Sequence, residues 1–362
     1  MIEIALTMQA WTLCGMSIPL LSPLLGLLTP PADAASILVH GKDQPVGDAF
    51  IQAGFFHALR CRYPAARITF AVSLGGCAYA NTLRAAMAPF IDEVLVDQAL
   101  CLKREQLRRA HPRPLADRRF DIIIDLEKKW WRTLIIRRIR HKVFVSASRH
   151  FLFSDRWPRD WSKPLHLSRQ YFMLLDALRM PARQTLPLPD FRDAQAEAFA
   201  ATLLPTGPSY LGIVPGAGDR SKCWPLDRFV ALARHAATSG MVPVVLLGPQ
   251  EKEWLAQLRA ALPQALFPAW DGETMRPEFS TPLMTVALGR RLAAAVTNDC
   301  GIAHMLAAGD TPLLTLFGHT NPIKYAPLSS RSVTLWARDF GGTRIEDVPF
   351  AAVTTALEAL RK

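Results

Sequence analysis

The 362-residue sequence contains only six cysteines, and no two of them have the C-x-x-C spacing that is typical of zinc sites. They are scattered singly along the chain, which is typical of a protein in a reducing compartment rather than of a disulfide framework. The sequence therefore predicts neither a zinc site nor a set of structural disulfides. The six are Cys14, Cys61, Cys77, Cys101, Cys223 and Cys300.

Several signatures of nucleotide- or metal-dependent proteins are also absent. The glycine spacings of the Walker A loop and of the dinucleotide fingerprint do not occur, which argues against those two classes. No Asp-x-Asp motif is present, and there is no repeat of solenoid length or low-complexity tract.

A long uninterrupted hydrophobic run is missing as well. Residues 11–28 are mostly apolar, but Pro19 and Pro23 break the run, which is too short for a membrane-spanning helix. Residues 32–36 resemble a signal-peptidase site, yet no Lys or Arg precedes the apolar run, and Glu3 stands there instead. We therefore predict that residues 1–35 form an N-terminal apolar extension, or a loose membrane-associating segment, in preference to a secretory signal.

Apolar strand-like runs alternate with helix-like segments along the rest of the chain, which favours an α/β fold. Short, continuously apolar runs such as residues 122–124 and 244–247 suit parallel strands that are buried on both faces. The predicted strands are residues 37–40, 68–72, 93–96, 121–125, 142–145, 210–214, 244–247, 294–297 and 313–317, and helices are expected at 50–63, 226–237 and 302–308.

One glycine-bearing turn, at residues 215–225, stands between a predicted strand and a predicted helix. Backbone N–H groups at a helix start have no partner within the helix, and the helix dipole attracts an anion there. Gly216 and Gly218 allow a ligand to approach the backbone closely, and Lys222 adds a positive charge. The expected ligand is a phosphate or pyrophosphate; an ordinary turn with a solvated lysine is the alternative.

A second turn of the same kind follows the strand at residues 294–297. Asp299 and Gly301 lie where that strand gives way to a helix, and such turns gather at the carboxyl ends of parallel strands, where ligands bind. Two such turns in one half of the chain predict a pocket. His304 follows on the helix, where a lone histidine is more often a packed core residue than a ligand.

These motifs, in this order, resemble those of glycosyltransferase family 9, the ADP-heptose:lipopolysaccharide heptosyltransferases, over residues 36–327. The matching segments are Val-Gly-Asp at 46–48, Asp-Ile-Ile-Ile-Asp-Leu at 121–126, the 215–225 loop, Asn-Asp-Cys-Gly at 298–301 with His304, and Leu-Phe-Gly-His-Thr-Asn-Pro at 316–322. The resemblance implies a GT-B fold, in which two Rossmann-like domains with parallel sheets face each other across a cleft. It places the nucleotide-sugar donor mainly on the C-terminal half and the acceptor on the N-terminal half.

The resemblance also implies roles for individual residues. Asp48 matches the family's proposed catalytic base, although an N-cap for a helix that begins at Ala49 explains the same residue. The donor-binding residues are expected to be Gly216, Gly218, Ser221, Lys222, Gln250, Glu251, Asp299, Gly301 and His304. Gln250, with Glu251 beside it, stands where the family often has an acidic residue for the ribose.

The implied reaction is metal-independent and inverting, with no cofactor, because lysine and helix N-termini take the place of a divalent ion. Neither Cys223 nor Cys300 is needed for that chemistry, so packing beside the ligand is their expected role.

Positive charge is concentrated in one stretch of the N-terminal half. Residues 103–163 contain 18 Lys and Arg and 7 Asp and Glu, an excess that equals the net charge of +11 for the whole chain. This composition, with interleaved tryptophans, suits an anionic membrane surface, a phosphorylated glycolipid, nucleic acid, or a solvated face with no partner. No nucleic-acid-binding motif is present. The residues expected to face the acceptor or membrane are Lys128, Lys129, Arg132, Arg137 and Arg138.

The expected organisation is an extension at 1–35, an acceptor domain at 36–195, a donor domain at 205–345 and a C-terminal helix at 346–362. The expected location is the cytoplasm, at the inner face of the inner membrane. Departures from the family pattern fall mostly on the acceptor side, for example Glu-Lys-Lys at 127–129 in place of a common Gln-Gly pair. A transferase with another donor or a protein acceptor, and a non-catalytic basic binding module on a GT-B scaffold, therefore remain alternatives.

Overall fold

The computed structural model describes residues 34–73, 75–96, 100–160, 162–179 and 189–361. Nearly all of the predicted extension at 1–35, including Cys14, lies outside these ranges, as do Trp161 and most of the proline-rich segment at 186–190. No helix in the described ranges is long and apolar enough to cross a membrane.

The first domain is built on a five-stranded parallel sheet with the strand order β3-β2-β1-β4-β5. Its strands are β1 (Ser36–Gly41), β2 (Arg67–Val72), β3 (Glu93–Leu95), β4 (Arg119–Asp125) and β5 (Arg140–Ser146). Its helices are α1 (Val46–Arg62), α2 (Arg84–Met87), α3 (Trp130–Ile136) and α4 (Leu167–Ala177), with a 3₁₀ turn at Arg104–Leu107.

The second domain has a parallel sheet with the order β12-β11-β10-β6-β7, and Leu266 pairs with Val244 of β7 as one further parallel bridge. Its sheet strands are β6 (Ser209–Val214), β7 (Met241–Val245), β10 (Ala294–Asn298), β11 (Leu313–Phe317) and β12 (Ser332–Trp336), and β8 (Trp270–Asp271) and β9 (Thr274–Met275) form a small hairpin. Its helices are α5 (Ala194–Leu203), α6 (Leu226–Thr238), α7 (Leu255–Ala261), α8 (Pro282–Gly289), α9 (Gly301–Ala308), α10 (Pro322–Tyr325) and α11 (Phe350–Arg361). Short 3₁₀ turns cover Arg220–Lys222, Pro249–Trp254, Pro277–Ser280, Ala337–Phe340 and Ile345–Asp347.

The first sheet has the strand order of a Rossmann-type domain. The second sheet has the same order when the bridge at Leu266 is counted as a further strand beside β7. In each sheet the order reverses between two central strands, β1 and β4 in the first domain and β6 and β10 in the second. Helices cover both faces, so the central strands are apolar along their length; Ile122, Ile123 and Ile124 of β4 are all fully buried. The predicted fold class is confirmed, with two doubly wound parallel sheets.

The predicted strands are all present, within two or three residues at their ends, but two features differ from expectation. Helix α1 begins at Val46 with Pro45 at its N-cap, so Asp48 lies in the first helical turn and is not the N-cap of a helix that begins at Ala49. Proline suits the start of the helix because its fixed φ is compatible with the helical turn and no N–H is lost there. Strand β12 was not predicted, since its residues are only half-buried at the edge of the sheet.

The two domains share one hydrophobic core at the point where α1 meets α8 and α9. Leu283 and Val286 of α8 belong to the same buried cluster as Phe50 and Phe55 of α1. At the helix starts the approach is closer still, because a Cβ on Gly47 would lie 3.2 Å from the Cα of Gly301. Glycine at position 47 therefore lets the amino ends of α1 and α9 approach this closely.

The chain passes from one domain to the other just before α5. Phe191 packs against Phe50 in the first domain, with ring centroids 4.8 Å apart. Ala196 and Ala200 of α5 already pack with Tyr210 and Met284 of the second domain.

A buried charge pair lies near the carboxyl end of the first sheet. His40 of β1 and Asp125 of β4 are fully buried, and the Nδ1 of His40 donates to the Oδ1 of Asp125 at 2.7 Å. The other ring nitrogen bonds Ser73, and Ser146 donates to the second oxygen of Asp125. Burial alone would lower the pKa of His40, but the hydrogen bond and charge of Asp125 outweigh it and raise that pKa to about 10.

We expect this pair to make stability depend on pH in the alkaline range. The pKa of His40 is raised from 6.5 to about 10 on folding, so its contribution is complete below 6.5 and is lost as the pH rises through 10. The free energy of unfolding, measured by urea denaturation, should fall more steeply over this interval in wild type than in His40→Gln. His150→Gln, at an exposed histidine, is the control, and equal slopes in all three proteins would contradict the assignment.

Candidate active site

The candidate site lies in the cleft, where loops leave the carboxyl ends of β1, β4, β6, β10 and β11. Because the strands of each sheet are parallel, these loops lie at the same edge of their sheet. Strand order reverses between β1 and β4 in the first sheet and between β6 and β10 in the second, and the loops that follow these strands flank the two reversal points. The contact between Gly47 and Gly301 brings the edge of the first sheet onto that of the second. The predicted turns around Asp48, Lys222 and Asp299 therefore belong to one site.

Asn298, the last residue of β10, holds the glycine loop in place. Its side-chain amide donates to the carbonyl of Pro215 at 2.8 Å, and its carbonyl oxygen accepts from the backbone N–H of Trp224 at 3.1 Å. Trp224 is almost completely buried, and its indole N–H donates to the carbonyl of Val348. One fully buried amide thus fixes both ends of the loop; the sequence motif contained Asn298, but its role was not predicted.

Lys222 and Asp299 form an ion pair between the two turns. The Nζ of Lys222 lies 2.8 Å from the Oδ2 of Asp299, and the Thr320 hydroxyl donates to the same oxygen at 2.8 Å. An ammonium has three donors, so Lys222 can still bind an anion while Asp299 orients it. The structure brings both predicted residues together, and Asp299 directly contacts Lys222 and Thr320.

Glu251 packs against the backbone of the glycine loop. Its side chain is buried and accepts from the N–H of Gly248 at 3.0 Å. A Cβ on Gly216 would lie 2.6 Å from the Cγ of Glu251, so only glycine fits there without displacing that side chain. Burial raises the pKa of the Glu251 carboxyl above its ordinary value. Of the two ribose candidates, Glu251 therefore faces the glycine loop, whereas Gln250 is exposed.

The exposed part of the loop offers space for a ligand. A Cβ on Gly218 would have nothing within 4 Å, so its backbone faces open space. Ser221 donates its hydroxyl to Asp219 at 2.8 Å, so that proton is engaged and only the lone pairs of the oxygen remain. This makes Ser221 a weaker candidate as a phosphate donor than Lys222.

Asp48 lies on the opposite wall of the cleft, one residue from the Gly47–Gly301 contact. Its carboxylate reaches solvent and forms no hydrogen bond or ion pair with any residue that the structure describes. Desolvation by the surrounding protein, and then the like charge of Asp43, raise the pKa of Asp48, while Lys42 acts in the opposite direction. A carboxylate with an elevated pKa and free oxygens can accept a proton from a bound hydroxyl.

His304 of α9 faces the same contact. Its Cδ2 would lie 3.7 Å from a Cβ on Gly47. Burial lowers the pKa of His304 to about 4, against the opposing effect of Asp299, so the imidazole is neutral near pH 7. It is suited to packing and to hydrogen bonding rather than to carrying a charge.

An apolar cavity of about 210 Å³ adjoins these residues between the domains. Val46 of α1 and Ile302 of α9 line it beside the glycine contact, and Gly248 connects it to Glu251. The remaining wall is largely apolar, with Leu247, Pro249, Met275, Phe279 and Met305 among its residues. The sequence carries no local signal for this cavity, because its lining comes from segments that are distant in the chain.

The five predicted basic residues do not form one surface. Arg132 is buried, and its guanidinium pairs with the equally buried Glu127 at 3.3 Å, so its expected role at the acceptor or membrane is wrong. Lys128 and Lys129 are exposed after β4 at the cleft. Arg137 and Arg138 precede β5 and lie at the other end of the sheet.

Lys128 instead has cationic neighbours from both domains. Desolvation by the surrounding protein lowers its pKa, and the charges of Lys163 and Lys324 lower it further. Lys324 belongs to α10 of the second domain, so Lys128 experiences positive charge from both domains. Neither Lys163 nor Lys324 was predicted, because their proximity to Lys128 arises only from the domain arrangement.

The two cysteines of the glycine turns are protonated at neutral pH. Burial raises the pKa of Cys300 to about 12 and also raises that of Cys223. Such thiols are poor nucleophiles. Within the described ranges no group of three or more His, Cys, Asp or Glu side chains is placed to hold a metal ion.

Two Rossmann-type domains that face each other across a cleft define a GT-B fold, and solved structures share it. A glycosyltransferase of family 9 from Veillonella parvula superimposes with a TM-score of 0.64 at 21% identity, over 91% of this chain and 98% of that one. The ADP-heptose lipopolysaccharide heptosyltransferase II of Escherichia coli gives a TM-score of 0.61 at 23% identity, over 90% and 98%.

The sequence comparisons identify the family. The profile of glycosyltransferase family 9 (heptosyltransferase) matches residues 108–344, so the chain belongs to this family. It is 26% identical to lipopolysaccharide heptosyltransferase 3 of Escherichia coli over 235 residues, 61% of this chain and 66% of that protein, just under two thirds of its length. It is also 26% identical to lipopolysaccharide heptosyltransferase 2 of Salmonella typhimurium over 307 residues, 79% and 84% of the two chains. The predicted family is confirmed.

Two glycine substitutions in the loop should have different effects. Gly216→Ala should displace Glu251 and reduce the free energy of unfolding by about 1–3 kcal/mol. Gly218→Ala has room in the unliganded protein, so its Tm should stay at the wild-type value while its affinity for pyrophosphate, the ligand predicted for this loop, falls by about tenfold. Thermal unfolding and calorimetric titration with pyrophosphate measure both, and equal Tm values for the two variants would contradict the packing described.

Proposed function

We propose that the protein is an inverting heptosyltransferase that moves a heptose from ADP-heptose to an acceptor of the lipopolysaccharide core. The observation that carries the proposal is the close approach of the two helix starts: Asp48 follows Gly47, and Asp299, which pairs with Lys222, comes two residues before Gly301. Family membership and the names of the relatives support the sugar and the acceptor class.

The donor fits the second domain in three parts. Its adenine matches the apolar cavity of about 210 Å³ in size and polarity. Its ribose lies near Glu251 and Gln250, which follow β7. Its diphosphate lies against the open backbone at Gly218, within reach of Lys222 and of the N–H groups at the start of α9.

The transfer step follows from this placement. Asp48 removes the proton from the acceptor hydroxyl as that oxygen bonds to the anomeric carbon of the heptose. The bond from the anomeric carbon to the diphosphate oxygen breaks, and ADP leaves with the electron pair. Because the acceptor attacks from the face opposite to the leaving group, the anomeric configuration inverts.

Lys222 and the helix start offset the charge that develops on the departing diphosphate. In a partly dehydrated cleft these fixed groups stabilise the transition state more than the ground state. No divalent ion is required by this scheme, so we propose that transfer is metal-independent.

The acceptor fits the first domain and the lysines at the cleft. Lys128, Lys163 and Lys324 suit an acceptor that carries acidic sugars or phosphates, since mutual repulsion among them is relieved when an anion binds. The donor is a cytoplasmic type of metabolite and the acceptor is a lipid, so we propose that the enzyme works at the cytoplasmic face of the inner membrane.

Substitution of Lys222 and of Asp48 should affect different steps. Lys222→Met should lower kcat/KM by about 10²–10³-fold and weaken ADP binding. Asp48→Asn should lower kcat by about 10²–10⁴-fold and leave ADP binding near the wild-type value, because Asp48 contacts the acceptor. ADP release from ADP-heptose with a lipopolysaccharide core acceptor, together with ADP titrations, measures both.

Arg220→Gln is the matched control for Lys222. Arg220 lies in the same loop but pairs outwards with Glu253 at 2.7 Å, so its loss should change kcat/KM only a few-fold. Full activity in Asp48→Asn would refute the assignment of Asp48 as the catalytic base. No activity in wild type with ADP-, GDP- and UDP-sugars would favour a non-catalytic binding module.

The pH profile should reflect the charge of Asp43. Asp43 raises the pKa of Asp48, so removal of its charge should lower that pKa and move the acidic limb of kcat/KM to lower pH in Asp43→Asn. Removal of Lys42, by Lys42→Met, should move the same limb to higher pH. A limb that does not respond to either change would show that another group limits the rate in acid.

A further inference from the structure

A cavity of about 790 Å³ at the far end of the first sheet is lined almost entirely by arginine. Arg119 and Arg140 are the first residues of β4 and β5, and the cleft lies at the other end of these strands. Strand β4 has seven residues, so about 20 Å of sheet separates the cavity from the cleft. The lining residues are Arg109, Arg113, Arg119, Arg137, Arg138, Ile139, Arg140 and His141.

Four of these arginines have no acidic partner. Arg109, Arg113, Arg119 and Arg140 are exposed, and none forms an ion pair or side-chain hydrogen bond with any residue in the described ranges. Some other charges in this basic stretch are compensated, as in Arg118 with Glu93 at 2.8 Å and Lys142 with Asp121 at 2.7 Å. These four arginines, in contrast, line one cavity without an acidic partner.

The other two arginines are held in fixed positions. Arg137 donates to the carbonyl of Phe153 and pairs with Asp155 at 2.5 Å, and Arg138 donates to the carbonyls of Gln106 and His111. Backbone carbonyls carry no net charge, so Arg138 keeps its positive charge while its position is fixed. The cavity is thus lined by two guanidinium groups that are held in fixed positions and by four that have no acidic partner.

Like charges gathered in this way repel one another, and the arrangement is relieved only by a ligand of opposite charge. Guanidinium groups bind phosphate oxygens in a bidentate manner, which a cluster of lysines does not reproduce. No carboxylate is among the lining residues, so the cavity selects for anions and disfavours cations.

We propose that this cavity is a second anion site, separate from the cleft, that takes a compact ligand with two or more phosphate groups. The phosphates belong either to a free polyphosphate or to a lipid headgroup at a membrane surface. Binding in this cavity does not require the transfer chemistry of the cleft. The site can therefore be confirmed or refuted independently of the function proposed above.

Titration of the full-length protein with sodium triphosphate tests the site. Arg119→Gln/Arg140→Gln should bind triphosphate outside the cleft about tenfold more weakly than wild type. Both side chains are exposed, so the double variant should keep the wild-type Tm without ligand. Lys222→Met should retain the cavity affinity. Arg62→Gln/Arg361→Gln removes the same charge at positions that do not line the cavity and should bind as wild type does.

Flotation with vesicles of phosphatidylcholine, with and without phosphatidic acid, identifies the source of the phosphate. Loss of both triphosphate binding and phosphatidic-acid-dependent flotation in Arg119→Gln/Arg140→Gln supports the site with a lipid headgroup as its ligand. Loss of triphosphate binding with unchanged flotation supports the site with a free polyphosphate as its ligand. Wild-type triphosphate affinity in that variant, or an equal loss in Arg62→Gln/Arg361→Gln, overturns the proposal.

Discussion

The contact between the amino ends of α1 and α9 determines the rest of the site. A side chain at Gly47 would meet the backbone of Gly301, so the glycine at position 47 allows two helix starts from different domains to touch. Each helix start presents free N–H groups and the positive end of a dipole. Their apposition brings the positive ends of two helix dipoles together, with Asp48 in the first turn of one helix and Asp299 just before the start of the other.

The buried polar groups around this contact keep the loops rigid. Asn298 bonds both ends of the glycine loop, and Glu251 fills the space that a side chain at Gly216 would need. Beneath the first domain's loops, the His40–Asp125 pair is fully buried and hydrogen-bonded. Breaking such a pair leaves an uncompensated charge in the core, so the strand ends that carry the loops cannot shift independently. These groups hold the loops that carry Asp48, Lys222 and Asp299.

The sequence was sufficient to predict nine of the strands, the order of the loops and the turns at Asp48, Lys222 and Asp299, but not β8, β9 or β12. Continuous apolar runs and glycine-bearing turns are local signals, and the parallel topology gathers such turns at one edge. Contacts between distant segments carried no such signal. The burial of Arg132 against Glu127, the proximity of Lys324 to Lys128 and the apolar cavity all depend on tertiary packing. The start of α1 was misplaced by three residues because Asp48 resembles an N-cap and the pattern alone does not distinguish the cap from the first turn.

The proposed transfer requires a donor that is held by the second domain with its anomeric carbon turned toward the first. A crystal structure of the protein with ADP-heptose tests this most directly. We expect the diphosphate beside Gly218 and within hydrogen-bonding distance of the Lys222 ammonium, the adenine in the cavity next to Val46 and Ile302, and the anomeric carbon facing Asp48. A diphosphate bound away from Lys222, or a heptose turned away from Asp48, would contradict it.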